Sequence, residues 1–102
     1  MAGKPRIIDI PCEPRQAVAV AAALRAYVDA AYPRGGSECA RVAREALLDT
    51  AGRIAAHAGG ALPLRRRMLP QLRAALTWTL SEQGPAALEW QTDLEAVLEE
   101  IQ

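Results

Sequence analysis

The chain has 102 residues with twelve basic, twelve acidic and one histidine side chain, so its formal net charge is zero. Half of it is apolar and a quarter charged, the ordinary range of one globular domain with a modest core. No apolar run approaches the roughly 18 residues that cross a bilayer, and the N-terminus lacks the apolar stretch of a secretory signal, so a cytoplasmic protein without membrane contact is expected.

Residues 1–13 read as an arm. Ile7, Ile8 and Ile10 favour an extended strand, fenced by Pro5 and Pro11. Such an arm is either an edge strand or one that pairs with another chain. Pro14 then opens a first helix to about residue 31, since the missing N–H costs nothing in a first turn. Val20, Leu24, Tyr27, Val28 and Ala31 recur at three- and four-residue spacing and mark its buried face. Tyr32-Pro33-Arg34-Gly35-Gly36 stops it.

Ser37 is a good N-cap for a second helix over about 37–58, ended by Gly59-Gly60. Val42, Ala43, Ala46, Leu47, Thr50 and Ile54 form its apolar face. Arg41–Glu45 and Asp49–Arg53 are spaced to pair on the wet one. The third helix, about 64–83, has two candidate starts, because Pro63 could open it but Pro70 would then break its second turn. In the alternative, 63–69 is a separate turn and the regular helix begins at Pro70. Leu69, Leu72, Leu76 and Leu80 form its ridge. Gly84-Pro85 ends it and starts a fourth helix, 85–101, with Trp90, Leu94, Val97, Leu98 and Ile101 inward. Short connections imply antiparallel neighbours. The expected architecture is all-α: one domain, a four-helix antiparallel bundle with a short N-terminal extended arm. Its abundant alanines allow close helix approach but bury little area each, at roughly 25 cal/mol per Å², which favours a core supplemented by self-association.

Zero net charge conceals a division. Through residue 75 there are twelve basic and six acidic residues, a net +6; beyond it there are six acidic residues and no basic one, a net −6. Arg65-Arg66-Arg67 is the densest basic point and falls near a helix start, where the peptide dipoles are already positive. Glu99 and Glu100 crowd a helix end that is already negative. If the fourth helix folds back along the third, about 27 Å of each brings Glu95, Glu99 and Glu100 level with the arginines, and the two unfavourable ends neutralise each other. The competing reading is an anion site for a phosphate or a partner's carboxylates.

Catalytic patterns are missing. His57, the one histidine, sits near a helix end and reads as a cap. Cys39 lies eighteen residues before it, about 27 Å along one helix, too far to be activated by it. With no four-ligand set there is no zinc site, so Cys12 and Cys39 are expected as free thiols. The phosphate-binding patterns GxxxxGK[ST] and GxGxxG are absent, and no cofactor is implied. Trp78 and Trp90 read as core filling near the turn between the last two helices.

The expected function is therefore a small non-catalytic protein-interaction or adaptor module that pairs with itself, with Arg65, Arg66, Arg67, Lys4 and Arg6 as binding residues. The alternative is a DNA-binding regulator. A short strand, a helix, and then Gly35-Gly36-Ser37-Glu38-Cys39-Ala40-Arg41-Val42-Ala43-Arg44-Glu45-Ala46-Leu47-Leu48 resembles a ribbon–helix–helix DNA-binding module over about residues 4–50. The resemblance implies strands of two chains paired in the major groove, with Lys4 and Arg6 on the arm. The first helix here is longer than that family's. Residues 1–60 carry only +2, whereas DNA affinity rises with the phosphates neutralised.

Overall fold

Proline and glycine punctuate the chain where the sequence suggests, and the elements between them are β1 (Ile7–Pro11), α1 (Pro14–Ala31), α2 (Glu38–Ala55), β2 (Ala61–Arg65), a single 3₁₀ turn (Arg66–Met68), α3 (Leu69–Glu82) and α4 (Pro85–Ile101). The computed structural model describes residues 6–82 and 85–102; Lys4, Pro5 and Gln83-Gly84, where the third helix was expected to end, lie outside the described residues. The described residues are mostly helical, with four α-helices among them, but the fold is not purely α. The arm is a strand that pairs antiparallel with β2 of the same chain, in the register Ile7–Arg65, Ile8–Leu64, Asp9–Pro63, Ile10–Leu62 and Pro11–Ala61.

The ribbon's register follows from burial. Ile10, Leu62 and Leu64 point into the core and Ile8 packs against it, while Ile7, Asp9, Pro11, Ala61, Pro63 and Arg65 face out. Shifting either strand by one residue would turn every inward side chain to solvent. The ladder is bracketed by Cys12 N–H donating to Gly60 C=O at 3.1 Å and Arg66 N–H donating to Arg6 C=O at 2.7 Å. Antiparallel pairs alternate between bonded and non-bonded. Asp9–Pro63 is therefore a non-bonded pair, and the nitrogen of Pro63 faces the ribbon's outer edge, where a donor is not needed. Here the structure corrects the sequence reading: Pro63 does not open a helix, and the third helix starts at Leu69 rather than near 64. Pro70 sits in the first turn of α3 and costs nothing there.

Helix α1 lies at the centre, touching α2, α3 and α4. This explains its alanines: Ala17, Ala19, Ala21 and Ala23 are buried alongside Val20, Leu24 and Val28, on more than one face. Its ring contact is with α3, Tyr27 meeting Trp78 edge-on with centroids 5.9 Å apart. Leu69, Leu72 and Leu76 from α3, and Leu94, Val97 and Ile101 from α4, complete the core. Ser37 caps α2, its Oγ accepting from Ala40 N–H at 3.2 Å. The helix stops at Ala55, three residues before the expected end. His57 N–H turns back to Ile54 C=O, and Gly59 and Gly60 adopt positive φ to lead the chain into β2.

Candidate interaction surface

The ribbon brings together residues that the sequence separates. Arg6 precedes β1 and Arg66 follows β2; their bonded backbones place Arg6 beside Arg65, Arg66 and Arg67 at one end of the ribbon. Arg6, Arg65 and Arg67 are exposed and Arg66 is half-buried. Lys4, the fifth binding candidate, lies outside the described residues.

Glu100, one of the carboxylates expected to meet these arginines, lies elsewhere. Glu100 lines a small cavity with Pro11, Cys12 and Gln16, at the other end of β1. Arg65 pairs with Ile7, four residues back along that strand, or about 13 Å at ~3.3 Å per residue. Asp93, further up α4, accepts from Arg15 Nε at 3.0 Å. Among the described residues, the other ion pairs join Arg44 to Asp29 at 2.8 Å, Arg53 to Asp49 at 3.2 Å and Arg41 to Glu38 at 3.9 Å. Asp49–Arg53 was expected, whereas Arg41 turns back to Glu38 instead of forward to Glu45. Neither Arg65 nor Arg67 has a carboxylate partner among the described residues.

Beside this basic end runs a groove of about 390 Å³ between α2 and the β2–3₁₀ segment. Ile54, Leu62, Leu64 and Met68 contribute apolar surface, Ala46 and Thr50 come from α2, and Asp49, Arg53, Arg65 and Arg67 provide the charge. Of the face that periodicity assigns to the core of α2, only Leu47 and Ile54 are buried; Ala51, not on that face, joins them. Val42 is 59% exposed and Ala46 is exposed as well. Val42, Ala46 and Thr50 lie four residues apart, so they form one stripe along the helix. The sequence reading placed all three on the buried face, but among the described residues Val42 and Ala46 are left exposed and Thr50 half-buried.

His57 also lines this groove. His57 Nε2 lies 3.0 Å from the carbonyl of Cys12 and 3.3 Å from that of Gly60. Both are acceptors, so Nε2 carries the proton and the ring ties the end of α2 to the ribbon. Cys12 offers it a carbonyl, not a thiol. Both cysteines are free thiols, Cys12 buried and Cys39 exposed. Burial, and secondarily the neighbouring Glu13 carboxylate, push the Cys12 thiol above its ordinary pKa. That keeps it protonated and a poor nucleophile. Among the described residues no group of acidic, histidine and cysteine side chains could hold a metal ion, and no helix is long and apolar enough to cross a membrane. No family model, curated protein or solved structure matches the chain.

Proposed function

We propose that this protein is a small, cytoplasmic, non-catalytic interaction or adaptor module, homodimeric, which takes a protein partner along the groove between α2 and β2. The observation that carries this reading is that Val42 and Ala46, on the apolar face of α2, are exposed, and that Ala46 and half-buried Thr50 lead into the groove lined by Ile54, Leu62, Leu64 and Met68. A core-type helix face left open beside the apolar surface of Ile54, Leu62, Leu64 and Met68 suits a segment bearing apolar side chains. We read the four helices as an antiparallel bundle clasped by the ribbon, the short α1–α2 connection favouring that arrangement.

A photocrosslinking residue placed at Ala46 should yield adducts with a discrete partner in native extract, and the same residue at Arg34, in the exposed α1–α2 connection, should not. Equal labelling from both positions, or none from Ala46, would count against the groove. A second reading has one observation in its favour: the ribbon gathers Arg6 with Arg65, Arg66 and Arg67, which suits a nucleic-acid backbone. It requires binding to a DNA duplex at low salt that weakens steeply as salt rises. No binding at low salt would end it.

A further inference from the structure

Arg6, Arg65 and Arg67 at the basic end of the ribbon form no ion pair with the acidic end of α4 among the described residues, so each end is open to a second molecule. We propose that a second copy of the chain covers the arginine end of the ribbon with the acidic last turns of its α4, so that Glu95, Glu99 and Glu100 of one copy face Arg6, Arg65 and Arg67 of the other. A two-fold axis makes the contact twice. The proposal rests on the homodimer reading above and specifies its surface.

The ribbon gathers the backbones of Arg6, Arg65 and Arg67 at one end, and none of the three has a carboxylate partner among the described residues. Glu95, Glu99 and Glu100 likewise have no cation among the described residues, and Glu99 and Glu100 also stand at the negative end of a 17-residue helix. Glu100, in the last turn of α4, sits by Pro11 and the basic group by Ile7, at opposite ends of one strand, about 13 Å apart at ~3.3 Å per residue. Two copies laid side by side in opposite directions bring each end level with its complement. This is the self-complementary geometry of a closed two-fold interface. Zero net charge removes any overall repulsion between the copies. Ile7, 54% exposed at the arginine end, adds an apolar contact. Isolated surface ion pairs hold little, so the contact needs this network and its apolar neighbour, and should be salt-sensitive.

The test is sedimentation of the full chain at micromolar concentration. The wild-type protein should be dimeric at low salt, and its dissociation constant should rise about tenfold or more at 0.5 M NaCl, where charges are screened within roughly 4 Å. The double variants Arg65→Glu/Arg67→Glu and Glu99→Arg/Glu100→Arg should each be monomeric, because each sets like charges together. Mixed in equal amounts they should form a heterodimer, since both contacts then become complementary. Helical circular dichroism confirms that each variant is folded; if either is not, the salt dependence of the wild type decides. Two variants that remain dimeric alone, or a wild-type dimer indifferent to salt, would overturn this surface while leaving a homodimer built on another face. A wild-type monomer under all conditions would overturn the homodimer reading itself.

Discussion

Arg44 shows how a single side chain can fix the angle between two helices. Its Nη2 donates to Asp29 Oδ1 at 2.8 Å and its Nη1 to the carbonyl of Tyr32 at 3.0 Å, so one guanidinium closes the end of α1 against the middle of α2. Its side chain is only 14% exposed, whereas Asp29 is largely in water, so the carbonyl bond matters more than the ion pair. Arg44→Ala should lower stability by about 1–2 kcal/mol in a denaturant titration, and Arg44→Lys should recover only part of it, since one ammonium cannot reach both acceptors in the same fork. The cysteines give a second residue-scale expectation. With the protein folded, an alkylating reagent should modify exposed Cys39 about tenfold faster or more than buried Cys12, whose thiol is held protonated. A folded pKa above the ordinary 9.0 means that the thiol stabilises the fold fully below that value and loses this contribution as pH rises through the higher folded value. Alkaline unfolding should therefore shift to higher pH in Cys12→Ser or Cys12→Val, relative to the loss each shows at neutral pH. Local contacts of this scale were partly legible in the sequence: the Ser37 cap and Asp49–Arg53 follow from spacing alone. Arg44 was not, because its partners are fixed by how two helices lean together.

At the scale of elements, the ribbon is the part that sequence reasoning missed. The arm was recognisable from Ile7, Ile8 and Ile10, but its partner Ala61–Arg65 is short and contains Pro63, which more readily suggests a helix start. Only the pairing itself shows that Pro63 occupies a position whose nitrogen points away from the neighbouring strand. The same alternation makes a sharp prediction for β1. Asp9→Pro, at a non-bonded pair, should change the melting temperature little. Ile8→Pro, one residue earlier, removes a ladder hydrogen bond and an inward side chain and should destabilise by about 3 kcal/mol or more. Equal losses at both positions would contradict the register. Helix α2 teaches a related lesson. Periodicity identified its apolar face through Val42, Ala46, Leu47 and Ile54, and the composition was read correctly. Periodicity cannot say whether a neighbour covers that face, and among the described residues Val42 and Ala46 are left exposed.

Across the whole molecule, the charge division was plain from residue counts, but its direction was not. A hairpin of α3 and α4 considered alone places acids beside bases. The ribbon changes this by drawing Arg65 and Arg67 toward Ile7 and the groove, while the end of α4 settles by Pro11. The result is a molecule with no net charge and a pronounced internal polarity. Its core is correspondingly economical: α1 is enclosed by three helices and tolerates them closely because so many of its side chains are alanine. Small contacts on several sides replace large ones on a single side.

The ribbon also dictates an order of events. Pro11 must wait for Ala61, fifty residues further along, before its strand has anything to pair with, and by then both α1 and α2 have been made. As the chain leaves the ribosome, the isoleucines at its beginning emerge early and stay bare until the middle of the message has been read. Closing so long a loop is slow compared with winding a helix, so the clasp fastens late, after the helices it holds.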